Sequence, residues 1–146
     1  MYICKIQKDI TEEFIKILNE FKILKLDASL CTCTKNGFQT PNILEYPKYK
    51  NLKNVMQNIL PKKYDLFHIH LIDYEPGGYQ LEHNHTQTEK YSFILYLNNC
   101  DTGCTVFENN LKIKPETNKL IVFDADKWHH AEINLSSKKV AVGAMN

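Results

Sequence analysis

This sequence encodes a mostly β chain with its helices confined to the N-terminal part, an α+β arrangement, and three features say so. Apolar residues recur at helical spacing up to about Leu60 and alternate with period two from Tyr64 onward. The second half is a series of short strands at roughly ten-residue spacing with turn residues between them, the pattern of an antiparallel barrel or sandwich. Two tight groups of histidines, His83/His85 and His129/His130, stand at opposite ends of that half, where a closed barrel can bring them to one ion. At 146 residues the chain reads as one domain over 1–146, with 1–62 as helical support and 63–146 as barrel core. No linker-like stretch separates the two parts, so the helices are expected to buttress the sheet.

In chain order, Asp9 or Thr11 can cap a first helix on which Phe14, Ile15, Leu18 and Phe21 form one apolar face to about Leu24. Ser29 to Thr34 is small or β-branched and reads as a strand, and Asn36-Gly37 reads as a turn. Pro41 to Pro47 is irregular. A second helix runs from about Tyr49 to Leu60, with Leu52, Val55, Met56 and Ile59 on one side, and Pro61 stops it. The strand after Tyr64 alternates Leu66, His68, His70 and Ile72 with Phe67, Ile69, Leu71 and Asp73. Both faces are fairly apolar, so it is central and covered on both sides. Pro76-Gly77-Gly78 is expected to turn the chain. Strands then follow at Ser92–Leu97, Cys104–Phe107, Leu111–Lys114, Leu120–Phe123 and Lys139–Ala144.

Bulk properties narrow the function. Eighteen basic and seventeen acidic residues nearly cancel, and no run of five lysines occurs, which disfavours a sequence-blind nucleic-acid or membrane-surface binder. There is no secretory apolar region after Met1 and no long apolar segment. Five cysteines, an odd number, with no zinc-knuckle spacing in Cys31/Cys33 or Cys100/Cys104, suit free thiols in a reducing compartment, hence the cytoplasm.

Imidazole ligates iron, zinc, copper and nickel, and two histidines at i and i+2 on a strand share a face, so His83 and His85 can share an ion. A third ligand from a distant strand, His129 or its alternate His130, would complete a facial site with open positions. His68 and His70 repeat the His-x-His spacing without a glycine or turn beside them and read as packing or barrel-lining residues.

From Tyr74 to its end the sequence resembles the Fe(II)- and 2-oxoglutarate-dependent dioxygenases, as a small His-x-His variant of their His-x-Asp motif. The ordered pieces are Tyr74, Gly77, His83-Asn84-His85, the SFILYLN strand from Ser92 to Asn98, Gly103-Cys104-Thr105-Val106-Phe107, Pro115, Leu120 to Phe123, His129 and Lys139. The resemblance implies a double-stranded β-helix, a squashed jelly-roll or cupin-like barrel. It implies Fe(II) held by His83, His85 and His129, with 2-oxoglutarate and O2 as cosubstrates and ascorbate as reductant. It places Lys139, with Lys138 as alternate, at the cation that pairs with the distal carboxylate of 2-oxoglutarate, and Tyr74 near that cosubstrate. The implied reaction is hydroxylation with release of succinate and CO2. The substrate is left open among a protein side chain, a nucleobase and a metabolite, and so is the oligomeric state. Barrel walls are expected from Phe93, Leu95, Val106 and Val122. Trp128 either walls the pocket or packs.

The departure is His85, where the family carries Asp. It also raises a rival, because Gly77, His83, His85 and Glu89 have the spacing of the first cupin motif. Asn118, Asp124 and Asp126 stand where the second cupin motif needs glycine or proline. A cupin-type metal protein and a non-catalytic β-barrel binding module are therefore the alternatives to an oxygenase.

Overall fold

The computed structural model describes residues 1–28 and 33–146. Its elements, in chain order, are β1 (Tyr2–Lys5), α1 (Lys8–Ile23), β2 (Thr34–Gln39), α2 (Asn51–Ile59), β3 (Leu66–His83), β4 (Tyr91–Tyr96), β5 (Thr105–Phe107), β6 (Lys112–Ile113), β7 (Lys119–Asp124), β8 (His129–Ala131) and β9 (Lys138–Met145). Hydrogen-bonded neighbours follow the order β1-β7-β4-β9-β3-β8-β5-β6, with β2 also on β3, and every pairing is antiparallel.

The long strand β3 organises this sheet. Its 18 residues exceed the usual strand length because two groups of strands share it. From Leu66 to Tyr74 it pairs with β9, and at Gln80 and His83 it pairs with β8. The expected turn at Pro76-Gly77-Gly78 is instead a kink inside this strand. Gly77 takes φ +89, its N–H donates to the Asn134 carbonyl at 2.7 Å, and the Asn134 N–H donates to the Gly78 carbonyl at 3.0 Å. A Cβ on Gly78 would lie 2.9 Å from the carbonyl oxygens of Asn36 and Glu75. The fully buried Asn134 amide also donates to the carbonyls of Glu75 and Ser136, at 2.9 and 2.8 Å. Backbone partners that a turn would leave to water are here supplied by one distant residue, through both its main chain and its side chain.

The strand expected over Ser29–Thr34 lies mostly outside the described residues, as does Cys31. The observed β2 begins at Thr34, and Asn36-Gly37 sits inside it as a register shift against β3. Asn36 takes φ +53 and donates its side-chain amide to the Pro76 carbonyl at 2.9 Å. The dipeptide therefore does signal a left-handed residue, but at a bulge and not at a hairpin tip. Strands β1 and β8 are further elements that the sequence pattern did not reveal.

Helices α1 and α2 cover one face of the sheet. Phe14, Ile17, Leu18, Phe21 and Met56 pack on Leu66, Ile69, Leu71, Phe93, Leu95, Leu120, Val122 and Ala141. Each of these buried side chains larger than Ala141 contributes about 1.5–3 kcal/mol. Asp9 sits in the first turn of α1 and does not cap it; Gln7 is the boundary residue, with no side-chain cap. The other face lines the barrel, with Ile72, Tyr74, Ile94, Tyr96, Phe107, Ile113, Ile121, Phe123 and Val140. Phe93, Leu95 and Val122 thus lie under the helices. Their neighbours Ile94, Phe123 and, on β5, Phe107 occupy the barrel positions expected of them. A strand that is apolar on both faces gives no sign of which face is which.

Candidate metal centre

The kinked end of β3 delivers His83 directly opposite His129, the first residue of β8. His85 follows two residues later, its backbone N–H donating to the Ala125 carbonyl at 2.8 Å in the connection between β7 and β8. The three imidazoles meet. Ring centroids are 4.3 Å apart for His83 and His129, 4.8 Å for His83 and His85, and 5.3 Å for His85 and His129. One potential ligand atom from each lies within 4.8 Å of the others.

The tautomers of two of them follow from their partners. His83 Nδ1 lies 2.7 Å from the Leu81 carbonyl oxygen, and His129 Nδ1 lies 3.0 Å from that of Lys127. A carbonyl only accepts, so each Nδ1 carries the proton and each Nε2 keeps a free lone pair. Burial, joined by the charge His83 would carry, pushes His129 down to about 3 and His85 to about 4; burial also lowers His83. All three are therefore neutral at physiological pH, the form that ligates a metal. His129 is only 2% exposed, walled by the rings of Phe107 and Phe123 at 5.7 and 5.0 Å. The donor set suits a borderline transition metal, and the tautomers of His83 and His129 present matched lone pairs.

His130 alternates to the other face of β8, where its Nδ1 lies 3.9 Å from Glu82. Trp128 is largely exposed. His68 and His70 stand on the barrel face of β3, His68 Nε2 3.1 Å from His70 Nδ1. Burial pushes His70 down to about 3. It lines the roughly 210 Å³ cavity at the metal centre together with the three clustered histidines, Ile94, Phe123 and Val142. A second cavity of about 450 Å³ adjoins it and is lined by Phe67, His68, His70, His85, Thr88 and Glu89 among others.

The two lysines at the start of β9 point to opposite faces. Lys139 pairs with Asp73, at 3.8 Å, and its ammonium donates to Ser137 Oγ at 2.9 Å, on the face where Asp73 also binds Lys22 of α1. Lys138 shares the barrel face with Val140 and is 1% exposed. Its ammonium donates to the Gly103 carbonyl at 2.8 Å and lies 4.5 Å over the ring of Tyr74. No carboxylate pairs with it among the described residues, and burial pushes it down to about 8. A buried cation without a counter-ion is costly, and it fits an anion that arrives with a ligand.

Sequence reasoning passed over Glu89 except as part of a cupin spacing, and Asn134 altogether. The signal for Glu89 was its place four residues after His85; Asn134 carried none.

No protein-family model and no curated protein matches this sequence. Solved structures do. Over 99% of its length the chain is similar to a prolyl-4-hydroxylase of Pseudomonas putida, with TM-score 0.75, 14% identity and 91% of that chain covered. It is similar to the viral collagen prolyl hydroxylase vCPH from Paramecium bursaria Chlorella virus-1 in its 2-oxoglutarate complex, with TM-score 0.65, 18% identity and 99% and 96% of the two chains covered. HygX from Streptomyces hygroscopicus, with nickel and 2-oxoglutarate bound, gives TM-score 0.75 at 8% identity over 99% and 81% of the chains. The fold is thus the double-stranded β-helix of the 2-oxoglutarate–Fe(II) oxygenases, carried here with two buttressing helices.

Proposed function

We propose that this protein is an Fe(II)- and 2-oxoglutarate-dependent oxygenase that hydroxylates its substrate and releases succinate and CO2. One observation carries the reading: three neutral imidazoles converge at the end of a barrel whose interior holds a lysine ammonium with no counter-ion among the described residues. His83, His85 and His129 are the metal ligands in this reading. Lys138 replaces Lys139 as the anchor for the distal carboxylate of 2-oxoglutarate, because Lys139 is engaged with Asp73 on the opposite face.

Bound iron would supply oxygen activation coupled to oxidative decarboxylation of 2-oxoglutarate. The protein's own part is positioning and exclusion of water. The Leu81 and Lys127 carbonyls hold His83 and His129 with Nε2 aimed into the site. Phe107, Phe123 and Ile94 keep water from the reacting centre. Lys138, backed by the ring of Tyr74, would fix one end of the cosubstrate as a point charge. The cavity of about 450 Å³ that shares His70 and His85 with the metal centre would take the substrate. Two of the similar structures are prolyl hydroxylases by name, so a prolyl peptide is the first substrate to try. Cys4, Cys100 and Cys104 are free thiols and, among the described residues, no helix is long and apolar enough to cross a membrane; we propose the cytoplasm as the compartment.

Purified protein given Fe(II), ascorbate and 2-oxoglutarate is expected to form succinate, slowly without substrate and faster with it. Metal retained without binding of 2-oxoglutarate would favour a cupin-type protein. Binding of neither would overturn the oxygenase reading and leave a non-catalytic barrel.

A further inference from the structure

His85 stands where the dioxygenase motif has a carboxylate, so a metal held by the three histidines would carry one more unit of positive charge. On the basis of that ligand assignment, we propose that Glu89 returns the missing negative charge through His85, as a positioning residue outside the ligand set.

The chain between the two residues is one tight turn: the N–H groups of Thr88 and Glu89 both donate to the His85 carbonyl, at 3.1 and 3.2 Å. It folds the carboxylate back so that Glu89 Oε1 lies 3.8 Å from His85 Nδ1. The Glu89 side chain is 7% exposed. Thr88 Oγ1 donates to Oε1 at 2.8 Å and Ser92 Oγ donates to Oε2 at 2.6 Å. Two hydroxyl donors, one on each oxygen, suit an ionised carboxylate, which only accepts. Oε1 keeps a second lone pair for an N–H. No lysine pairs with Glu89 among the described residues; His85 is the group that faces it.

The contrast with the other two ligands sharpens the assignment. His83 and His129 turn their Nδ1 to neutral backbone carbonyls, whereas His85 turns its Nδ1 to a carboxylate. The imidazole that replaces an anion is thus the one with an anion behind it. At 3.8 Å the contact is longer than a hydrogen bond. Closing it takes a shift of about 1 Å, after which Nδ1–H donates to Oε1 and Nε2 faces the metal. The group of mutually close ligand atoms comprises His83, His85 and His129, and Glu89 stands behind it.

The test measures metal dissociation constants, with Co(II) as probe, for four proteins: the wild type, Glu89→Gln, His85→Asp and the double variant. Glu89→Gln is expected to weaken Co(II) binding about 10–100-fold, as loss of an outer-sphere partner does. In the His85→Asp background the same change is expected to cost less than about threefold, because the anion then sits on the metal and Glu89 repels it. Glu89→Gln is also expected to raise the Fe(III)/Fe(II) potential while leaving the melting temperature of the metal-free protein and the coordination number in the Co(II) absorption spectrum unchanged. An equal cost in both backgrounds would mean that Glu89 only braces the turn, and would overturn the proposal. A change of coordination number in Glu89→Gln would make Glu89 a direct ligand and overturn it as well. A wild type that binds no metal would overturn the metal-ligand assignment together with the role of Glu89; a metal-binding wild type indifferent to Glu89→Gln would overturn the role of Glu89 alone.

Discussion

The ammonium of Lys138 lies 4.5 Å over the ring of Tyr74, inside the barrel, while the next residue, Lys139, reaches Asp73 on the outer side of the same strand. A desolvated cation over an aromatic face gains about 2 kcal/mol, which offsets only part of the cost of burying it. The remainder is available to any carboxylate that reaches the site. In the proposed reading the two lysines therefore separate binding of cosubstrate from packing of the fold.

Lys138→Met is expected to raise the KM for 2-oxoglutarate by about 30-fold or more, the equivalent of 2 kcal/mol for a lost buried charge pair. Lys139→Ala is expected to change that KM by less than about twofold and to cost up to about 1 kcal/mol of stability through its partly exposed pair with Asp73. Succinate release measured against 2-oxoglutarate concentration, with a thermal melt of each variant, checks both. Equal effects of the two variants on KM would remove the distinction.

The same lysine sets a pH dependence. Free Lys138 is held near 8, and an anion binds its protonated form, so affinity for 2-oxoglutarate is expected to fall as pH rises through about 8. The ligand-free fold behaves in the opposite sense. Its folded-state value lies below the 10.5 of the unfolded chain, so unfolding takes up a proton across that window and stability rises from pH 8 toward 10.5. Titration calorimetry at pH 7, 8 and 9, and melts over pH 8–10, read the two trends.

How far the sequence could lead is clearest at these positions. The period-two pattern located the first part of the central strand, Leu66 to Asp73, and the ordered motifs picked out His83, His85 and His129, which the fold brings together. Parity was illegible. Because β4, β7 and β9 are apolar on both faces, a one-residue slip exchanged Lys138 with Lys139 and Phe93 with Ile94 at no visible cost in pattern. The kink at Gly77-Gly78 was illegible for another reason. Glycines announce unusual backbone, but whether the chain reverses or only bends depends on Asn134, more than fifty residues away.

Parity also separates the adjacent histidines. His129→Ala is expected to weaken metal binding by at least about 100-fold, beyond the cost of losing an outer-sphere partner. His130→Ala, which loses only a contact with Glu82 on the other face, is expected to stay within about threefold. Co(II) titration of the two variants decides it. Comparable losses would mean that β8 is displaced by one residue when metal is bound.

The metal-free protein is expected to be acid-sensitive. His70 and His129 are held near 3 and His85 near 4, against 6.5 in the unfolded chain. Above 6.5 these groups are neutral in both states and the stability they permit is fully present. Below it the unfolded chain takes up protons first, so stability is lost as pH falls from 6.5 toward 4, by up to about 1.4 kcal/mol per pH unit for each group. Urea melts of metal-free protein at pH 7, 6 and 5 should show a fall steeper than one proton. Saturating Co(II) should oppose it at pH 6 through binding to the folded state.

Gly78→Ala tests whether the kink aims the ligands. The added methyl would meet the backbone oxygens of Asn36 and Glu75 at 2.9 Å, and neither is a side chain that can swing away. Relief requires β3 to straighten or the bulge at Asn36 to move, and either loosens the pairing of His83 with His129 five residues further on. A cost of about 1–3 kcal/mol in stability is expected, with metal affinity falling alongside it. Asn134→Ala strips donors from the carbonyls of Glu75 and Ser136 and should cost a similar amount, about 1–3 kcal/mol, through buried groups left unpaired. If Gly78→Ala lowers the melting temperature but leaves the Co(II) dissociation constant unchanged, the kink serves the barrel and not the metal centre, and the alignment of His83 must come from the β3–β8 ladder by itself.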